Sequence, residues 1–227
     1  IRPNEGAAAF FDASGQGTWE SGTQFDFSLN WQGKLAKADT DAVLTWFQRH
    51  SKNQLALWVP AIANAPSSYF PMDRAKVHGV ELTHAMKWDR LTLSLAGTWQ
   101  KSEYTGSSLS SGSKSVISYT PEWVWNVRLD YRFPGDRLNV FAEYHYTDRQ
   151  YLGYNDNKTY DAYLAPLTTV NLGFKYAFDK RWKLSAGVND IFNKGYDQRS
   201  YALFANTDTA NYPVAGRIYY ATMEYKF

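Results

Sequence analysis

The chain has four histidines, His50, His78, His84 and His145. No two stand at the H-E-x-x-H spacing by which one helix face holds zinc. A histidine can serve as axial ligand to a haem iron. His50, which opens a long irregular segment, is the candidate for that role; the alternative is an incidental polar residue. Cysteine is absent, which excludes disulfides, thiolate metal sites and a cysteine nucleophile. There is no Gly-x-Ser-x-Gly elbow and no phosphate loop. His145 and Asp148 with a nearby serine imitate the partners of a hydrolase, but two adjacent polar residues are not a catalytic constellation. The chain is expected to be no enzyme and to carry no cofactor.

A second set of residues suits binding rather than catalysis. The irregular segments carry Trp58, Tyr69, Phe70, Tyr104, Tyr151, Tyr154, Tyr160, Tyr163, Tyr201, Phe204 and Tyr212, with Arg149 and Arg199 nearby. Aromatic faces stack on flat groups, and a guanidinium donates charge-assisted hydrogen bonds to carboxylate or catecholate oxygens. Substrate-binding candidates are therefore His50, Trp58, Tyr69, Tyr104, Arg149, Tyr151, Tyr154, Arg199, Tyr201 and Phe204. Tyr154 and Phe204, furthest from any strand end, are the better ones. The competing reading places these rings in aromatic belts at a membrane surface.

The elements between these segments are strands. Tyr219, Ala221, Met223, Tyr225 and Phe227 fall on one face, and Thr222, Glu224 and Lys226 on the other. Phe25, Phe27, Leu29 and Trp31 alternate with Gln24, Asp26, Ser28, Asn30 and Gln32 in the same way. So do the runs 91–100, 123–133, 138–147, 169–178 and 182–189. A period of two sustained this long is a strand signal. A soluble sandwich also alternates, but these strands reach about ten residues, as tilted membrane strands do. Their apolar faces carry Trp and Tyr near the ends, and the other face bears Arg, Asp, Glu and Lys at mid-strand. Both features fit a barrel with lipid outside and a wet lumen.

Composition agrees. The 227 residues are 44% hydrophobic and 17% aromatic, with mean hydropathy −0.51. No apolar run is long enough for a membrane helix, which a barrel does not need. A net charge of +2 is too close to neutral to point to nucleic acid. No signal peptide is visible, and the chain starts Ile-Arg-Pro-Asn, so it is expected to be processed or to be part of something longer.

Nine strands are predicted, near 23–32, 39–49, 74–88, 91–104, 119–133, 137–149, 165–178, 182–194 and 216–227. Short polar turns at 88–90, 134–136 and 179–181 alternate with long segments at 50–73, 105–118, 150–164 and 197–214. Short turns on the periplasmic side and long loops outside are a barrel signature. The first strand then runs inward from an extracellular segment, residues 1–22. An inward first strand and an odd count do not close a bacterial barrel, and open edges are not tolerated in lipid. Residues 23–227 are therefore expected to be the C-terminal part of a larger barrel, with a small ten-stranded barrel as the alternative.

Four stretches resemble one family, the TonB-dependent outer-membrane receptors of ferric-siderophore type. Asp73-Arg74-Ala75-Lys76-Val77-His78-Gly79-Val80-Glu81-Leu82 is similar to its "N-x-G-x-A-x-x-x-G-V-E-L" strand. Tyr119-Thr120-Pro121-Glu122 is similar to its "x-P-x-H/W" strand start, and Asn189-Asp190-Ile191-Phe192-Asn193-Lys194-Gly195-Tyr196 to its "N-L-F-D-K-x-Y" signature. Pro213-Val214-Ala215-Gly216-Arg217 and the aromatic-ended strand resemble its "P-G-R" terminus. Asp190 stands where Leu is usual and Asn193 where Asp is usual, and Val214-Ala215 interrupts the Pro-Gly pair.

The resemblance implies the last nine or ten strands of a 22-stranded antiparallel barrel in the outer membrane of a Gram-negative bacterium. It implies a plug domain, a TonB box and the N-terminal half of the barrel outside this chain. The partners implied are the bilayer, the TonB-ExbB-ExbD complex acting through the plug, and a ferric siderophore as cargo. Haem and cobalamin are alternative cargoes, and a stand-alone adhesion or structural barrel is the alternative from another class. Phe227 resembles the family's assembly signal; it also suits an aromatic anchor at the interface. Glu81, Lys87, Arg128, Asp130, Arg132, Glu143 and Lys175 are expected to face inward as a salt-bridge lattice, and Asn189 to brace the wall. Gly79 is read as a kink or a tight-packing position.

Overall fold

Alternating sequence gives alternating faces, and the backbone joins them into one antiparallel sheet. The computed structural model describes residues 20–58, 68–105, 116–117, 119–154, 161–194, 200–202, 209–211 and 215–227. Its strands are β1 (Ser21–Leu35), β2 (Ala38–Trp58), β3 (Ser68–Lys87), β4 (Leu91–Thr105), β5 (Trp123–Arg132), β6 (Leu138–Thr147), β7 (Gln150–Tyr154), β8 (Asp161–Leu164), β9 (Leu167–Ala177), β10 (Trp182–Asn189), β11 (Ser200–Ala202), β12 (Thr209–Asn211) and β13 (Ile218–Tyr225). Nine of them form the main sheet in the order β1-β2-β3-β4-β5-β6-β9-β10-β13, the nine predicted strands in sequence order. The hairpins β7-β8 and β11-β12 are separate. In the described sheet β1 and β13 each have one partner, so it stays open.

Register sorts the side chains. One cross-strand row reads Gln32, Asp41, Ala85, Ser94, Arg128, Glu143 and Asn171. The neighbouring row on the other face reads Trp31, Ala42, His84, Leu95, Val127, Tyr144 and Val170. A groove of about 470 Å³ is lined by Asp41, Thr83, Ser94, Asn126, Arg128 and Glu143 among others, so the polar face is the concave one. The apolar face is convex and bare: Phe25 is 66% exposed and Tyr219 73%. A contiguous apolar surface this large is untenable in water and suits lipid.

Two aromatic belts bound that surface. At the long-loop end, Trp123 stacks on Trp125 with centroids 5.7 Å apart, and Trp99 lies 6.2 Å from Trp123. At the turn end, Tyr131 meets Phe133, Tyr176 meets Phe178, and Tyr225 meets both Trp182 and Phe227. The ten residue-to-residue steps from Trp123 to Phe133, at about 3.3 Å each and tilted about 40°, span roughly 25 Å, the height of an outer-membrane apolar band.

The strand bounds differ from the predicted ones at the loop end. β2 and β3 continue their ladder to Trp58 and Ser68, where 50–73 was expected to be irregular. β5 starts at Trp123 rather than 119: Pro121 has no N–H to donate, and the amide of Gln100 donates instead to the carbonyl of Glu122 at 2.9 Å. β10 stops at Asn189 rather than 194. Ser21 and Gly22, expected in the extracellular segment, already pair with Lys52 and Ser51; residues 1–19 lie outside the described residues. Gly79 lies inside β3, and its role is tight packing. A Cβ there would sit 2.2 Å from the carbonyl oxygen of Trp99 and 2.9 Å from the ring of Phe47.

Two turns carry testable consequences. β1 and β2 are joined by Ala36 and Lys37, both at positive φ (50° and 65°). Two-residue hairpins need that geometry and favour Asn-Gly for it. Replacing Ala36-Lys37 by Asn-Gly is expected to stabilise the protein by about 1 kcal/mol per residue relieved, read as a higher urea midpoint in lipid vesicles. In the turn 178–181, Asp179 Oδ1 accepts hydrogen bonds from the amides of Arg181 (2.7 Å) and Trp182 (2.8 Å). These amides, Trp182 first, hold its pKa below the ordinary carboxylate value. A lowered folded-state pKa stabilises above the unfolded value and loses that contribution as pH falls through the folded one. Asp179→Asn is expected to be less stable at neutral pH and to show a shallower acid loss; parallel acid profiles for both proteins would refute this.

Candidate functional site

The concave face holds a charge lattice at mid-height. Arg128 on β5 points across the ladder to Glu143 on β6, its direct partner in register. Its Nη1 donates to Glu143 Oε1, and its Nη2 donates to Asp130 Oδ1 at 2.9 Å. The guanidinium also lies over the Phe141 ring, 4.1 Å from the centroid. Glu143 Oε2 accepts from Asn171 Nδ2 at 3.2 Å and faces His145 Nε2 at 3.7 Å. His145 Nδ1 in turn lies 2.6 Å from Asn126 Oδ1. Every member sits on the inner row dictated by alternation. The side chains of Arg128 and Glu143 remain 35% and 23% exposed, so the lattice faces a wet space.

Asn171 links this lattice to the strand end above it. Its Oδ1 accepts the amide of Asp190 at 2.9 Å. Asp190 is buried, 4% exposed, and takes φ 49°. Its Oδ1 accepts the amide of Lys194 at 2.9 Å, and its carbonyl accepts the amide of Asn193 at 2.9 Å. Asn193, at φ 56°, accepts the amide of Arg217 on its Oδ1 at 2.8 Å. Asp and Asn tolerate the left-handed region better than other side-chain-bearing residues. The segment 189–194 is thus a bracket tying β9, β10 and the start of β13. Asn189 was expected to brace the wall; Asp190 and Asn193 make the bonds. The inward placement of Arg128, Asp130 and Glu143 follows from alternation. Asn171 and Asp190 have no such signal, since their roles need the register between distant strands.

The predicted ligand residues scatter over several places. His50 lies inside β2, opposite Lys76, on the convex face, and not at the start of a loop. Tyr104 is on the concave face of β4 opposite Ala75 and is 9% exposed. Arg149 is exposed between β6 and β7. Tyr151 pairs with Tyr163 across the β7-β8 hairpin and is 5% exposed. The carbonyl of Tyr151 accepts the amide of Tyr119 at 2.8 Å, which joins this hairpin to the segment before β5. Trp58 ends β2, Tyr69 and Phe70 start β3, Tyr154 ends β7, and Tyr201 lies in β11; their side chains lie outside the described residues. Arg199, Phe204, Tyr160 and Tyr212 lie outside them altogether. The structure therefore brings Tyr104 and Tyr151 to the loop end and turns His50 away from the lumen. Phe227 is fully exposed beyond Tyr225 at the turn end.

Removing one partner of the lattice leaves a charge without its bonds. Arg128→Met and Glu143→Gln are each expected to destabilise by about 1–3 kcal/mol. The double variant should fall well short of their sum. A double-mutant cycle on urea unfolding in vesicles measures this, and additive effects would remove the lattice as a unit.

A family model for TonB dependent receptor-like β-barrels matches residues 1–191. No curated protein matches in sequence. Among solved structures the chain is similar to the copper transporter OprC, at 16% identity and TM-score 0.69, over 92% of this chain and 31% of that one. It is similar to P. aeruginosa FpvA bound to heterologous pyoverdines, at 17% identity and TM-score 0.67, over 95% and 28%. It is also similar to the siderophore receptor PirA from Acinetobacter baumannii, at 18% identity and TM-score 0.64, over 92% and 32%. The chain spans about a third of the length of each.

Proposed function

The chain belongs to the TonB-dependent receptor β-barrel family, and on that premise we propose that it forms barrel wall and part of the extracellular binding surface of a ferric-siderophore transporter. The transporter sits in the outer membrane of a Gram-negative bacterium. The observation that carries this reading is the pairing of a bare apolar convex face with a concave face holding the Arg128-Glu143 lattice. The convex face meets lipid. The concave face, with polar rows from Gln32 to Asn171, faces a plug domain supplied by the rest of the receptor. In this reading β1 and β13 join the strands that complete the barrel.

The cargo docks at the long-loop end. Tyr104 and Tyr151, both nearly buried, shape the wall there, and Arg149 offers a charge for carboxylate or catecholate oxygens. Plug rearrangement, driven through TonB, ExbB and ExbD, then opens the lumen. The wall does no covalent chemistry. A siderophore fits better than haem, because the haem candidate His50 points to the convex side, while the inner-face His145 already bonds Asn126. A stand-alone adhesion barrel fits less well, because the described sheet leaves two edges open.

Cells expressing the whole receptor and fed chelates of radioactive iron test the reading. Uptake should depend on TonB. Tyr104→Ala and Tyr151→Ala should each raise the half-saturating concentration by on the order of tenfold, the loss of a buried aromatic contact of about 1.5 kcal/mol. A receptor that reaches the outer membrane yet takes up no iron chelate above a vector control would sink the proposal.

A further inference from the structure

The concave face changes character below the lattice. The row next to Arg128 and Glu143 on the turn side reads Asp130, Phe141, Gly173, Gly187 and Tyr220. Two adjacent glycines leave the wall bare there, and two rings fold over the gap. A Cβ at Gly187 would meet the Tyr220 hydroxyl oxygen at 2.5 Å. One at Gly173 would meet the Phe141 ring at 2.5 Å and the same hydroxyl at 2.9 Å. Tyr220 therefore lies along the row, over the glycines, instead of standing into the lumen. The Phe141 ring is already covered by Arg128. The Tyr220 ring is 36% exposed.

Beyond that row the inner wall turns cationic. The next row reads Arg132, Asn139, Lys175, Ser185 and Thr222, and the one after it pairs Lys183 with Glu224. Arg181 and Lys226 follow at the turn end, where the carbonyl of Arg181 accepts the amide of Lys226 at 2.9 Å. Five cations thus stand with one carboxylate on these inward rows. All six are exposed, and among the described residues none forms an ion pair. The acids of the adjoining turns are engaged: Asp179 holds two amides, and Asp136 lies 3.8 Å from Arg90. The inward rows of β1, β2 and β3 are balanced instead. There Lys34 and Lys87 flank Asp39, with Lys34 at 3.7 Å, and Asp41 lies one row above. The free positive charge is therefore confined to the β5–β13 side, just beyond the open Tyr220 ring.

We propose that ring and cations form a second cargo subsite, on the inner wall near the periplasmic exit, for an anionic aromatic chelate of the catecholate kind. Tyr220 stacks on a flat ring of the chelate, and Arg132, Lys175 and Lys183 bond its oxygens. The inference deepens the transport reading above and rests on it, since that reading supplies the chelate and the plug movement that opens the lumen. Charged side chains lining a pore select ions of the opposite sign, and low-dielectric walls focus their field. Arg128 is neutralised in the lattice, so an anion descending this wall meets free cations only below it. The Tyr220 hydroxyl reaches Gly173, two residues from Lys175 on β9, so ring and ammonium are neighbours about 7 Å apart along the strand. An inorganic anion would use the cations alone. A catecholate chelate uses ring and cations together, and this adjacency selects it. The site is open and carries one ring, as passage requires: a transit site must attract its ligand and still release it.

The test uses the whole receptor on intact cells and a radioactive ferric tris-catecholate as probe, with binding read on chilled cells and uptake on energised ones. Arg132→Gln, Lys175→Gln and Lys183→Gln together should leave chilled-cell binding unchanged. They should lower the saturated uptake rate on the order of tenfold, the scale of one charge-assisted bond lost during passage. Tyr220→Ala should act in the same direction, and Tyr220→Phe should not. The variant with Arg132→Lys, Lys175→Arg and Lys183→Arg should keep native uptake, which separates lost charge from misfolding. The rival use of these cations is to hold the plug. Plug release from purified receptor should need the same urea concentration in the native and Gln proteins; a lower one in the Gln protein would assign the cations to the plug and overturn the subsite. Native uptake by the Gln variant would overturn it too, as would chilled-cell binding that weakens in step with uptake. Uptake of other iron chelates but not of the tris-catecholate would sink the subsite and spare the transport reading. A native receptor that binds no iron chelate would remove both.

Discussion

In hydrocarbon an unpaired backbone amide or carbonyl costs several kcal/mol, and that cost governs this chain. It explains why nine strands follow one another around a single ladder with no crossover in the main sheet. Where the ladder stops, side chains take over its hydrogen bonds. At 178–181 the carboxylate of Asp179 takes up two amides. At 189–194 Asp190 and Asn193 take up the amides of Lys194 and Arg217. At 121–122 the Gln100 side chain donates to the carbonyl of Pro121 at 3.0 Å. In each place a side chain replaces the missing neighbouring strand. The departure from the family motif at 190 makes sense on these terms, since Asp is a short polar side chain able to hold positive φ and bond locally, as the usual Leu is not.

The same constraint sets what a reader of the sequence can see. Alternation is enforced only where one face meets lipid and the other water. There the predicted strands and faces match the observed ones, from Phe25-Asp26-Phe27 to Tyr225-Lys226-Phe227. Above the Trp belt both faces meet water, so nothing enforces a period of two. The run 50–58 loses its apolar rhythm, yet its ladder with 68–76 persists. The hairpins β7-β8 and β11-β12 were hidden for the same reason. Periodicity marks the membrane-spanning part of a strand and is silent on how far the strand continues.

The site divides in the same way. Inward charges such as Arg128 and Glu143 follow from parity alone. Their grouping does not, because Glu143 meets Asn171 only through the pairing of β6 with β9 across the hairpin between them. His50 shows the opposite failure. Its position was read as a loop because the rhythm ended there, whereas the strand continued and parity carried its ring to the convex side. Parity would have placed it correctly had the strand's length been known.

Period two also separates the consequences of change along one strand. Ala75 and Lys76 are neighbours in sequence, yet Ala75 packs beside Tyr104 toward the lumen and Lys76 stands among cations outside. In β2, Arg49 lies over the Phe47 ring on the inner face, its guanidinium 5.4 Å from the centroid, while His50 and Gln48 look outward. The upper strands therefore carry two surfaces built from alternate residues of one segment. Residues of one parity face the lumen while those of the other look outward, so a change on one surface leaves the side chains of the other in place. The backbone ladder between them binds both to the same register, so a one-residue slip would exchange the two surfaces outright. The tight seating of Gly79 against Trp99 and Phe47 opposes that slip at the height where the two surfaces diverge.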